Sequence, residues 1–256
     1  MTPKQQAYEV TASTIIKNLA KRRMEGFYCP DSRSAVAKAL ELMPKGCSIA
    51  WGGSATVQQT GLMEAIRGGS YQIIDRDEAK TPEEKRVMFS RIVMADYFLM
   101  SANAITLDGQ LMNIDGNGNR VGPLCYGPEH VLVVAGMNKV VTDIHEGVKR
   151  IRAMACPANA IRLGRRTPCA VAGVCGDCKG PESMCSQLVI VRRCQFEDRI
   201  KVILVCPTEE SRERGRKRHS FRTRRGFFRL SGNFFRSFRR KPVSRPLRRR
   251  PPLPFP

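Results

Sequence analysis

The sequence predicts an α/β fold with a mainly parallel sheet and helices on both sides. Three observations lead there. Short apolar segments alternate with helical patterns of about 10 to 15 residues as far as Val205, the signature of βαβ units. "HVLVVAGMNKVV" is an almost continuous apolar run, of the kind found in strands buried on both faces. A chain of 256 residues, 42% hydrophobic with a single Trp, is also long enough to bury a large core without staples.

The elements follow in order. "PKQQAYEVTASTIIKNLAKRRM" places apolar residues at helical spacing and ends in a basic turn, which suits the helix dipole. "EGFYCP" reads as a short strand ended by proline. "DSRSAVAKALELM" begins with Asp31 as an N-cap, and "PKG" separates it from the strand "CSIAW". The turn "GGSAT" leads into the helix "VQQTGLMEAIRGG", and "YQIID" is a strand. In "TPEEKRVMFSRIVMA", Thr81 caps, Pro82 takes the first helical position and Glu84 completes a capping box. "YFLMSANAIT" is the next strand. The Asp-Gly and Asn-Gly steps of "DGQLMNIDGNGNRVG" predict a hairpin and a tight loop. "DIHEGVKRIRAMA" is a helix, and "KVILV" is a final core strand. No repeat recurs at a fixed period.

Charge is distributed unevenly. Residues 206–256 carry 17 of the 44 Lys and Arg but 3 of the 23 acidic residues, a net +14 against +7 for the rest of the chain. This Arg/Pro-rich tail has no helical or strand period, so it is expected to be disordered and to bind polyanions nonspecifically. The domain is expected to span 1–205. No run reaches the roughly 18 to 20 apolar residues of a membrane span, and "MTPKQQAYEV" lacks the order of a signal peptide, so a cytoplasmic protein without a membrane partner is expected.

Two loops carry polar residues beyond what turns require. Gly52, Gly53, Ser54 and Thr56 follow a predicted strand, where backbone N–H groups and a helix start can cradle an anion. The alternative is a βα turn that needs glycine only for close packing. The second loop supplies Asn103, Asp108, Asn113, Asp115, Asn117, Asn119 and Arg120. A carboxylate, several amides and a guanidinium beside a Gly-rich turn suit a sugar, a hydroxy acid or a phosphate, with Asp115 as an acid or base. A pair of Asx-stabilised turns is the plainer reading.

Ten cysteines in a chain of this size are expected to be reduced thiols. Cys169, Cys175, Cys178 and Cys185 form a C-x5-C-x2-C-x6-C loop at 169–185, a candidate four-thiolate site for zinc or an iron–sulfur cluster. A redox dithiol and unligated thiols are the alternatives. Cys29, Cys47, Cys125, Cys156 and Cys194 read as small apolar residues. His130, His145 and His219 have no ligand spacing. There is no G-x-S-x-G elbow, Walker loop or complete dinucleotide fingerprint, which weakens hydrolase and nucleotide-binding readings.

The block "NAITLDGQLMNIDGNGNRV", with "RAMACPANAIRL" and the later "PC" and "CGDC", resembles the lactate-utilisation (LUD) domain family in its short stand-alone form, over roughly residues 5–205. The resemblance implies a Rossmann-like sheet of the ribose-phosphate isomerase and CoA-transferase type. It implies that Gly52, Gly53, Ser54 and Thr56 bind a phosphate or cofactor tail. The residues from Asn103 to Arg120 would then lie near the substrate, with Asp115 and Arg120 as catalytic candidates. It further implies a part in oxidising L-lactate to pyruvate within a multi-protein system that contains iron–sulfur subunits. The chain departs from the family at Cys206, where a short ending gives way to the basic tail; a shifted reading frame or another late addition is the expected origin. Competing readings are an isomerase or transferase acting on a sugar phosphate or CoA ester, and nucleic-acid binding through the tail.

Overall fold

A computed structural model describes residues 2–207; the basic tail from residue 208 onward lies outside the described residues. Six parallel strands make the central sheet. They are β1 (Glu25–Cys29), β2 (Ser48–Trp51), β3 (Gln72–Ile74), β4 (Tyr97–Met100), β7 (His130–Gly136) and β10 (Ile200–Val205), in the order β1-β10-β7-β4-β2-β3. "KVILV" thus lies in an interior strand, β10, and all six residues of that strand are buried, as a strand covered on both faces requires.

The alternation of side chains divides the core into two faces. Ala50, Phe98, Met100, Val131, Val133, Val202 and Leu204 pack on one face with α1 (Pro3–Lys21) and α5 (Pro82–Val93). Ile49, Trp51, Leu99, Leu132, Val134 and Ile203 pack on the other with α2 (Ser32–Leu42), α3 (Ala55–Gln59) and α4 (Leu62–Arg67). The fold is therefore a Rossmann-like α/β sandwich, as the alternation of elements predicts. Its caps also form as expected. Thr81 Oγ1 accepts from Glu84 N at 3.1 Å, Glu84 Oε2 accepts from Thr81 N at 3.0 Å, and Asp31 Oδ1 accepts from Ser34 N at 2.7 Å.

The structure departs from the expectation in three places. The helix predicted after "GGSAT" is broken into α3 and α4 by Gly61, whose φ of 84° lies in the left-handed region that glycine tolerates best. The helix predicted over 143–155 runs on: α7 (Ile144–Arg150), a π turn (Ile151–Ala155) and α8 (Cys156–Arg162) follow without interruption. Pro157 lacks an N–H and crowds the carbonyl one turn back, and the wider π turn just before it accommodates the ring.

The third departure is a second, four-stranded sheet. Its order is β8 (Val140–Val141), β5 (Ala104–Thr106), β6 (Leu111–Asp115), β9 (Gln187–Val191). β5 and β6 form the predicted antiparallel hairpin. The segment "YFLMSANAIT", read as one strand, leaves the central sheet after Met100 and enters the second sheet at Ala104. "HVLVVAGMNKVV" does the same, passing through a 3-10 turn at Met137–Lys139. Because β4 pairs with β7 and β5 with β8, both in parallel, the two chains cross between sheets side by side.

Arg199 ties the start of β10 to the preceding loops. It is buried and donates to the carbonyls of Pro128, Leu124 and Pro123 at 3.1, 2.8 and 2.8 Å. Arg199→Ala removes these bonds and leaves buried acceptors without donors, so a loss of about 2–4 kcal/mol is expected in urea unfolding.

Candidate functional site

The crossings between sheets place polar groups at the carboxyl ends of the central strands, where open parallel sheets hold their ligands. The end of β2 contributes Gly52 and Gly53, the end of β4 contributes Ser101 and Asn103, and the end of β7 contributes Lys139. Lys139 Nζ donates to Thr56 Oγ1 at 2.8 Å and to Ser101 Oγ at 2.7 Å. Ser101 is buried, and burial pushes the ammonium down to about 7, with the neighbouring Arg150 and Arg120 guanidiniums acting in the same direction.

Arg120 reaches the same crossing. Its Nη2 donates to Asn103 Oδ1 at 2.9 Å and to the Ile114 carbonyl at 2.6 Å, while Nη1 donates to the Ser101 carbonyl at 3.4 Å. Arg150, from α7, donates through Nη1 to the Asn103 carbonyl and through Nε to the Asn138 carbonyl at 3.3 Å. Residues 101–103 are thus a common acceptor for three cations. Burial lowers the pKa of both arginines; Asp115 opposes this at Arg120, and Arg162 adds to it. Among the described residues, no carboxylate lies within salt-bridge distance of Lys139, Arg120 or Arg150.

The glycines have a packing reason as well. A Cβ on Gly52 would lie 2.8 Å from Arg120 Cγ, and one on Gly53 would lie 3.2 Å from Arg76 Nη2. Their bare backbone lets two arginine side chains pass closely over the loop. Asn113 on β6 is 1% exposed, and neither its Oδ1 nor its Nδ2 has a hydrogen-bonding partner among the described residues. A buried amide left in this state costs on the order of 1–3 kcal/mol for each unsatisfied group. The three cations thus form a positively charged cluster at the carboxyl ends of the central strands.

The LUD domain profile matches residues 12–205. The chain belongs to the LUD domain family. A solved structure of a DUF162 family protein from Deinococcus radiodurans is similar at 13% identity, with a TM-score of 0.46, over 77% of this chain and 98% of that one. No curated protein matches the chain.

The LUD domain gathers some of the sequence-nominated residues and separates others. Thr56, Asn103 and Arg120 meet at the cation cluster, with Gly52 beneath Arg120, whereas Gly53 lies against Arg76 outside it. Ser54 is buried and caps α3 by accepting from Val57 N at 3.3 Å. Since α3 has only five residues, the expected contribution of a helix start to anion binding is small. Asp108 is engaged elsewhere, with Arg22 Nη2 at 2.5 Å, Gln110 Nε2 at 3.0 Å and the Thr106 hydroxyl. Burial pushes its pKa up, but these three partners together hold it below the ordinary carboxylate range.

Asp115 works locally in the LUD domain. Its Oδ1 accepts from Gly116 N at 2.8 Å, and Oδ2 accepts from Arg120 N and Val121 N at 2.9 and 3.1 Å. That is the pattern of an Asx-stabilised turn, and it positions Arg120 more directly than it offers a free base. Asn117 is exposed and Asn119 is half-buried, and neither side chain is hydrogen-bonded within the described structure. Sequence reasoning missed Lys139, Arg150 and Ser101. The available signal for Lys139 was a lysine inside an otherwise apolar run.

The cysteine loop converges in part. Cys156 and Cys185 bring their sulfurs to 3.5 Å. Burial pushes the Cys156 thiol up, and Cys185, Cys169 and Cys175 lie near enough to push it further. Cys156 thus belongs with the loop, although its sequence neighbours suggest only a small core residue. Cys169 turns inward beside Thr167, with Oγ1 and Sγ 3.3 Å apart. Among the described residues, no group of three or more His, Cys, Asp or Glu side chains is placed to hold a metal ion. Cys185 also lies near Cys169, Cys175 and Cys178, so the four thiols expected to form a metal site share one part of the fold without being assembled around a metal position. No helix among the described residues is long and apolar enough to cross a membrane.

Proposed function

We propose that this LUD-domain protein acts in lactate and organic-acid utilisation by holding the carboxylate of lactate or pyruvate at the cluster of Lys139, Arg120 and Arg150. The observation that carries the reading is the convergence of three inward cations on residues 101–103 with no carboxylate within salt-bridge distance. Cations held together without an opposite charge repel one another, and a bound carboxylate removes that cost. Two guanidiniums and an ammonium offer planar and point-charge donors together, which suits a carboxylate flanked by a second oxygen.

Converting L-lactate to pyruvate releases two electrons and two protons. In this reading the electrons pass to iron–sulfur subunits of a multi-protein system, and this chain binds and orients the organic acid. Family membership supports the metabolic setting, and the cation cluster supports the class of ligand.

Calorimetric titration of the full chain with L-lactate, pyruvate, a sugar phosphate and CoA tests the proposal. Saturable binding of the two small acids is expected, and a ligand at about 100 times its dissociation constant should stabilise the fold by roughly 2.7 kcal/mol. Binding of the sugar phosphate or CoA alone would move the protein to the isomerase and transferase class instead.

A further inference from the structure

The position of Lys139 suggests chemistry beyond charge. Its amine is turned inward from the end of a central strand and held by two hydroxyls, Thr56 Oγ1 and Ser101 Oγ. Hydroxyls orient an amine without fixing its charge, unlike a carboxylate, which would keep it an ammonium. Arg120 and Arg150 converge on the same short segment through the carbonyls of Ser101 and Asn103. The arrangement is a nucleophilic nitrogen beside two guanidiniums able to fix a carboxylate.

We infer that Lys139 Nζ forms a reversible imine with the C2 carbonyl of a 2-oxo acid whose carboxylate is held by Arg120 and Arg150. This rests on the reading of the cluster as an organic-acid site. In the first step the nitrogen lone pair adds to C2, the carbonyl π bond breaks onto oxygen, and the oxygen takes up the proton lost by nitrogen, giving a carbinolamine. In the second step the C2–O bond breaks, the hydroxyl leaves as water with one added proton, and the protonated C=N bond forms. Nothing is oxidised or reduced. Thr56 and Ser101 can each accept one hydrogen bond while donating another, so both are suited to pass these protons along.

One further feature fits the inference. The amine titrates at about 7, so about half of it is neutral, and therefore nucleophilic, at neutral pH.

Borohydride trapping on the full-length chain tests the inference, with pyruvate as the probe. The expected result is a reduced pyruvate adduct that maps to the peptide containing Lys139. It should be absent with L-lactate, which has no carbonyl, and suppressed when excess L-lactate competes with pyruvate. Lys139→Arg should lose the adduct completely, whereas Arg22→Met, paired with Asp108 outside the cluster, should keep it. Should the Lys139 variant misfold, the lactate competition on the unaltered chain decides. Calorimetric binding of pyruvate without an adduct, or an adduct spread over exposed lysines such as Lys4 and Lys45, would overturn the imine and leave the anion site standing. No binding of either acid would overturn both.

Discussion

Lys139→Met should make the protein more stable and at the same time weaken its hold on small acids. The ammonium titrates at about 7 in the folded chain and near 10.4 once unfolded, so between those values the unfolded chain carries a proton that the folded chain lacks. Stability therefore rises with pH across that window, and the full cost of the buried charge is present below it. Methionine removes the charge at every pH. A shift of this size corresponds to a cost of order 4 kcal/mol, and the two lost hydrogen bonds take back about 1 kcal/mol each. A net gain of about 2 kcal/mol is expected near pH 6, crossing zero at about pH 9 and becoming a net loss of about 1 kcal/mol by about pH 10, where the lysine is neutral in the folded chain but still mostly protonated in the unfolded one. Urea unfolding of both proteins at several pH values gives the result, and a gain independent of pH would contradict the assignment. Burial sets this titration first, and the neighbouring charges that add to it are Arg150 from α7 and Arg120.

The second large effect is expected at Arg120. Arg120→Met keeps much of the side-chain length over Gly52 but removes the donors to Asn103 Oδ1 and the carbonyls of Ile114 and Ser101. Losing one buried charged partner of a carboxylate typically costs 2–5 kcal/mol, so affinity for lactate and pyruvate should fall by about 30-fold or more. Arg22→Met is the matched control, because Arg22 is paired with Asp108 and stands outside the cluster. It should leave the affinity unchanged. Equal losses in the two variants would point to a general loosening of the fold instead.

Much of the fold can be read from the chain because its local signals agree with the tertiary structure. The Thr81 capping box, the Asp31 cap and the continuous apolar strands each express their preference within a few residues. The second sheet is harder to see. "YFLMSANAIT" is apolar on both sides of residues 101–103, and periodicity registers no change when a strand leaves one sheet for another. The site is legible in part for the same reason. Arg120, Asn103 and Thr56 stand out in polar loops, whereas Lys139 lies inside an apolar run and Arg150 in an ordinary basic helix turn. Asp108 and Asp115 draw attention by their polarity, yet both are consumed by neighbouring N–H, hydroxyl and guanidinium groups. A carboxylate in sequence gives no sign of how many donors will surround it.

The two strands that change sheets also act as mechanical connectors. Ser101 and Asn103 lie on one, Lys139 on the other, and the arginines arrive from the second sheet's side of the molecule, on the β6–α6 loop (α6, Val121–Cys125) and on α7. A bound acid would therefore span a seam between two separately hydrogen-bonded layers and act as a rivet through it. Opening of the seam and release of the acid become one equilibrium, so the smaller sheet would be held most firmly when the site is filled.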